Sequence, residues 1–281
     1  MFMVNTKLIL VEGLPGSGKT STARFVQKLL DEQQIPNRLF LEVDLEHPAD
    51  YESVAYFTEA QFKALQQRYA NNEYLLSQYS EAETGGVLLY YGKLMKVTDA
   101  FEAFEGEDFG AYDVYSLPLE KHQQIIRKRW STFSERVMSG DLVYILECCF
   151  LQNPLTVMLV RDNRTETDLT DYIHSLYGCI QASNPKLIYL QDENFKQSFS
   201  SVIAERPEEW LTFITWYYTE QGYGKANNLS GADGLLEVLE QRKKVELAIL
   251  ETLPMDQIML NKTSLDWDAI HKQISLFLQS D

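Results

Sequence analysis

The 281-residue sequence predicts an α/β fold: a five-stranded parallel sheet sandwiched between helices, with a mostly helical, acidic insertion between the second and third strands. Three observations point that way. Five short apolar segments of strand length are separated by segments of helical periodicity. The first of them runs into a glycine-rich loop and then an amphipathic helix. The stretch after the second differs from the rest in charge and in aromatic content.

Lys7 to Val11 reads as the first strand, and beyond the loop Ala23, Val26, Leu29 and Leu30 recur at helical spacing. Pro36-Asn37 marks a turn. Leu39, Leu41, Val43 and Leu45 then alternate with Arg38, Phe40, Glu42, Asp44 and Glu46, which predicts a second strand with one polar face ending before Pro48. From Ala49 to Lys96 the patterns are mainly helical, with a break at Gly85-Gly86, and Glu102 to Asp113 reads as an acidic loop. A helix is expected from Leu119 to Ser139, burying Ile126, Trp130, Phe133 and Val137 on one stripe. Leu142 to Leu146 is continuously apolar and ends in Glu147, which suits a strand covered on both faces. Later strands are expected at Leu187 to Leu190 and Ile258 to Leu260. Helices are expected at Asp168 to Ala182, Asn194 to Ala204, Glu208 to Glu220, Leu235 to Leu253 and Trp267 to Leu278. The chain is read as one domain, with residues 49–118 as the insertion and 192–234 as a lid region.

Lys plus Arg number 25 against 41 Asp plus Glu, a net charge of −16 that argues against a generic binder of nucleic-acid phosphates. Between Leu41 and Asp113 there are 15 acidic and four basic residues, so this segment alone carries −11. It is also rich in Tyr and Phe, unlike a disordered acidic tail, and reads as folded. The apolar run Leu8 to Val11 is too short for a secretory signal, and no segment approaches the ~20 apolar residues of a membrane helix. Cys148, Cys149 and Cys179 form neither a disulfide framework nor a zinc-binding spacing, so a reducing, cytoplasmic setting is expected.

Gly13-Leu14-Pro15-Gly16-Ser17-Gly18-Lys19-Thr20 satisfies G-x-x-x-x-G-K-[ST] between a strand and a helix. Glycines there let backbone N–H groups curl around phosphate oxygens, and the helix presents its positive end to the same anion. Gly13 to Thr20, with Ser21, are therefore the expected nucleotide-binding residues. Lys19 is expected to bridge the β- and γ-phosphates, and Thr20 to ligate Mg2+. Glu147, at the end of an apolar strand, is the second expected metal group. Glu42, Asp44 and Glu46 would share one strand face near its carboxyl end, where one could take a proton from an acceptor hydroxyl. Asp44 is the preferred base. Among the scarce cations, Arg127, Lys128, Arg129, Arg136, Arg161, Arg164 and Arg206, Arg206 is best placed to act from a lid on a transferring phosphoryl group. The four histidines are scattered and suggest no metal cluster.

This order of parts resembles the P-loop kinases, the nucleoside and nucleotide kinase-like group and the small-molecule (antibiotic) phosphotransferases. Leu10 to Thr20 resembles their first strand and phosphate loop, Leu41-Glu42-Val43-Asp44 falls where they carry the acid that serves as base, and Ile188-Tyr189-Leu190 resembles the strand before their lid. After Glu147 the chain reads Cys148-Cys149-Phe150, where nucleoside and thymidylate kinases carry Glu-Arg-Ser or Asp-Arg-Tyr signatures. The resemblance implies ATP and Mg2+ as nucleotide and metal, and acceptor-binding helices between the second and third strands. The expected activity is phosphoryl transfer to a hydroxyl of a small molecule, nucleoside-like or amine-bearing. A P-loop ATPase or switch acting on a partner protein, a nucleotide kinase, and a nucleotide-binding protein without turnover are the alternatives. The sequence leaves the oligomeric state open.

Overall fold

The structure, a computed structural model, describes residues 5–197, 199, 206–262 and 266–280. The chain divides into two compact units, one formed by Met1–Glu42 with Trp130–Asp281 and the other by Val43–Arg129.

The first unit is built on strands β1 (Leu8–Gly13) and β2 (Asn37–Phe40), followed, in whole-chain numbering, by β6 (Val143–Glu147), β7 (Lys186–Gln191) and β8 (Asp256–Asn261). All five run parallel in the order β2-β6-β1-β7-β8. This is a five-stranded parallel sheet between helices, as the sequence predicts. The continuous apolar runs at β1 and β6 are buried along their whole length because both faces are covered. Ile9, Val11, Ile145, Ile188 and Leu190 pack on Ala23, Val26 and Leu30 of helix α1 (Lys19–Glu32) and on Ile270, Ile274 and Leu278 of the Trp267–Gln279 helix. Residues of opposite phase, including Leu10, Tyr144, Leu146 and Leu187, are equally buried. Trp130 and Phe133 of the Leu119–Ser139 helix pack on that second face, Phe133 meeting Tyr144 edge-on at 5.2 Å. Register then places the site: Glu147 lies opposite Val11, two residues before the glycine loop.

The second strand is shorter than its alternation suggests. Pairing stops at Phe40, and Val43 is 74% exposed. Asp44 ends the extended chain by accepting the Glu46 N–H on its side chain at 2.9 Å and the His47 N–H on its carbonyl at 2.9 Å. Glu42, Asp44 and Glu46 therefore do not form a row on one strand face.

The second unit is mostly helical, as expected for the insertion, and adds a small sheet that the sequence did not predict. Beside short helices at Glu59–Arg68, Glu73–Gln78, Tyr91–Leu94 and Thr98–Ala103 it holds β3 (Ala55–Thr58), β4 (Ser80–Glu83) and β5 (Gly86–Leu89) in an antiparallel sheet ordered β3-β5-β4. Thr84-Gly85 is the turn of a β-hairpin and Gly86 opens β5, so Gly85-Gly86 is not a break between helices. Strands of four residues are too short for their period to be read against a helix. The acidic loop likewise contains the end of Thr98–Ala103 and a 3-10 turn at Phe109–Tyr112.

The pairing of acids with aromatics has a structural cause. Phe57, Phe62, Phe104 and Phe109 form this unit's core. Tyrosine hydroxyls at its margin donate to carboxylates: Tyr69 to Glu107 at 2.7 Å, Tyr90 to Glu81 at 2.7 Å, Tyr91 to Asp113 at 2.8 Å, and Tyr115 to Asp50. Arg68, Lys128 and Lys93 add ion pairs to Glu107, Glu83 and Glu46, each at 2.8 Å. No helix among the described residues is long and apolar enough to cross a membrane.

Candidate functional site

At the carboxyl end of β1 the chain enters the glycine loop with φ of +146° at Gly13, +76° at Gly16 and +96° at Gly18. Gly18 is the N-cap of α1 and provides no side-chain cap, and the helix has no acid in its first turn. The N–H groups of that turn are left to an anion, at the positive end of the helix. Two of the glycines are sterically required. A Cβ on Gly18 would lie 2.5 Å from Cη2 of Trp267, and one on Gly13 would lie 2.5 Å from the Leu190 carbonyl oxygen. Within the loop Ser17 N–H donates to Leu14 O at 3.1 Å, and Lys19, only 6% exposed, donates from Nζ to the same oxygen at 3.0 Å. Ser17 Oγ is buried without a partner, an unsatisfied polar atom facing the loop interior. Ser21 is exposed in the first turn of α1.

Glu147, 4% exposed, accepts the Thr20 hydroxyl on Oε1 at 2.6 Å. A hydroxyl and a carboxylate thus meet where β6 and the start of α1 converge. Mg2+ takes few protein oxygens when phosphates and water complete its shell, so this donor pair fits it. Among the described residues no group of three or more His, Cys, Asp and Glu could hold a metal ion.

Behind the loop lies a buried polar network that sequence reasoning missed. Cys148 turns the chain after β6 with φ +67°, and the N–H groups of Phe150 and Gln152 then donate to Glu12 Oε1 at 2.7 Å and Oε2 at 3.1 Å. Burial also pushes the Cys148 thiol pKa well up, although Lys19 pulls the other way. The Gln152 amide donates to Glu42 Oε1 at 2.5 Å and accepts from Arg242 Nη2 at 3.5 Å. Arg242 pairs through Nε with Glu246 Oε1 at 2.7 Å, Tyr189 donates to Glu246 Oε2 at 2.5 Å, and Arg242 Nη1 reaches the Tyr218 hydroxyl at 3.2 Å. Burial alone would lower the Arg242 pKa, but the Glu246 carboxylate holds it above its ordinary value.

Burial raises Glu12 from 4.5 to about 7, outweighing the backbone N–H groups that favour its anion. Because the folded pKa lies above the unfolded one, the folded state binds the extra proton. Glu12 therefore costs no stability below pH 4.5 and an increasing amount as pH rises to about 7. The full effect is on the order of 3 kcal/mol. Glu12→Gln is expected to gain on the wild type in urea unfolding between pH 5 and pH 8; parallel stability curves would refute this.

The remaining candidates separate. Glu42 belongs to the unit that carries the glycine loop, whereas Asp44 and Glu46 belong to the other, where Glu46 pairs with Lys93 at 2.8 Å. Lys128 is paired with Glu83, Arg129 donates to His47 O at 2.8 Å, and Arg161 pairs with Asp162. Arg206 is exposed, its guanidinium 5.5 Å from the centre of the Trp210 ring. Of the lid stretch 192–234, residues 198 and 200–205 lie outside the described residues, as does most of the second half of the helix expected at Asn194 to Ala204.

No family model matches the sequence, and no curated protein matches it. Among solved structures, a deoxyadenosine kinase from M. mycoides with bound dATP aligns over 97% of this chain and 100% of that chain, with 15% identity and a TM-score of 0.42.

Proposed function

We propose that the protein is a Mg-ATP-dependent kinase that transfers the γ-phosphoryl group to a hydroxyl of a small molecule. The observation that carries this reading is the Thr20–Glu147 hydrogen bond of 2.6 Å, set beside a helix that begins at an uncapped Gly18 and next to the buried Lys19. The loop N–H groups and the Lys19 ammonium would stabilise the triphosphate and the charge that spreads over the transferring group. Thr20 and Glu147 would hold Mg2+, which when bound screens the phosphate oxygens.

Glu42 is the best-supported base, because the Gln152 amide fixes its carboxylate within the phosphate-loop unit. As the acceptor oxygen bonds to the γ-phosphorus, its proton passes to Glu42. The bond to the β–γ bridging oxygen breaks, and ADP leaves with that electron pair. Arg206 offers an exposed cation for the transferring group. The protein's net charge of −16 favours a nucleoside-like or amine-bearing acceptor over a polyanion.

The test is ADP formation with and without nucleosides, nucleotides and aminated antibiotics. Acceptor-stimulated turnover is expected, with Lys19→Ala lowering it on the order of 100-fold or more. Turnover indifferent to every acceptor but raised by a protein partner would replace the kinase with a switch. Turnover unchanged in Lys19→Ala would remove the phosphate-loop assignment itself.

A further inference from the structure

Lys262, immediately after β8, is 246 residues from the loop in sequence, yet its Nζ donates to the Gly16 carbonyl at 2.7 Å. The same ammonium pairs with Asp192 Oδ2 at 3.1 Å. Asp192 is almost wholly buried and is itself held: Oδ1 accepts the Asn194 N–H at 2.9 Å, and its carbonyl accepts Lys243 Nζ at 2.8 Å. The Lys262 N–H continues the β7–β8 ladder by donating to Gln191 O at 3.1 Å. The ammonium is thus carried on the sheet, with a buried carboxylate fixing its direction.

The Gly16–Ser17 peptide is planar, so fixing its carbonyl also fixes its N–H on the opposite side. That N–H donates to Leu14 O, the oxygen that also accepts Lys19 Nζ. An ion pair from Asp192 to Lys262, followed by hydrogen bonds through the Gly16–Ser17 peptide and Leu14 O, therefore connects Asp192 to Lys19. We propose that Lys262 is a positioning residue of the phosphate loop: it sets the Gly16–Ser17 peptide plane, and with it the turn on which Lys19 rests. It also adds a second fixed positive charge to a loop in a protein of net charge −16. The inference rests on the reading that this loop binds nucleotide phosphates.

The experiment measures binding of MgATP and of inorganic tripolyphosphate to the full chain by calorimetry, with Lys262→Met, Lys262→Arg, Asp192→Asn and Lys19→Ala. Lys262→Met is expected to weaken both ligands about tenfold and by the same factor, with a shallower salt dependence. Lys262→Arg should recover most of the affinity. Asp192→Asn should act in the same direction, and Asp192→Asn combined with Lys262→Met should bind no worse than Lys262→Met alone. If Lys262→Met binds tripolyphosphate as the wild type does while Lys19→Ala loses it, the role of Lys262 is overturned and the phosphate-loop reading stands. If Lys19→Ala binds as the wild type does, both fall. Should Lys262→Met lose its fold, weakened binding in Asp192→Asn beside near-wild-type binding in Lys262→Arg decides for the role, and wild-type binding in Asp192→Asn or loss of affinity in Lys262→Arg against it.

Discussion

Replacing Arg242 with methionine is expected to destabilise the protein by about 3–5 kcal/mol. The Arg242 and Glu246 side chains are 0% and 1% exposed, one turn apart on the Gly231–Thr252 helix. Removing the guanidinium leaves the buried Glu246 carboxylate uncompensated, with the Tyr189 hydroxyl still donating to it and Glu12 close enough to feel its charge. The Tyr218 hydroxyl and the Gln152 carbonyl oxygen lose a donor as well. Replacing both charges, as Arg242→Met with Glu246→Leu, is expected to recover most of the loss, because a buried pair gains little over well-packed apolar groups. Urea unfolding at pH 7 checks both. A single variant that loses less than about 1 kcal/mol would show that the pair is not the anchor of this network.

The second large effect concerns chemistry rather than folding. Glu147→Gln keeps an acceptor for the Thr20 hydroxyl, so the 2.6 Å contact can persist while the charge is lost. Turnover is expected to fall about 10–100-fold and its Mg2+ requirement to shift to higher concentration. Nucleotide affinity in the presence of a chelator should stay near the wild-type value. A variant with the wild-type Mg2+ dependence would exclude Glu147 from the metal site.

The parallel sheet and the glycine-rich turn into the first helix are legible because their signals are local. The apolar runs of β1 and β6 read as doubly covered strands, and the glycine spacing from Gly13 to Gly18 dictates backbone shape within six residues. Glu147 was placed correctly at a strand end for the same reason. The end of β2 was not legible, because alternation through Leu45 continues past the point where the Asp44 side chain diverts the chain into a turn. The β4–β5 hairpin hid in strands of four residues. Glu12, Arg242 and Lys262 stayed silent for another reason. Glu12 meets Phe150 across 138 residues, and Lys262 meets Gly16 across 246, so nothing in their immediate neighbourhood marks them.

The left-handed turn at Cys148 has a kinetic corollary. Alkylation requires a thiolate, and this thiol is enclosed beside Glu12, Glu42 and Glu147, where ionisation is disfavoured. Cys148 is 0% exposed, and its own N–H is held by the Val11 carbonyl at 3.2 Å, so labelling by iodoacetamide is expected to be slow. The partly exposed Cys179 has no such barrier. Cys179 is therefore expected to be alkylated before the buried Cys148 and Cys149, whose labelling awaits local opening.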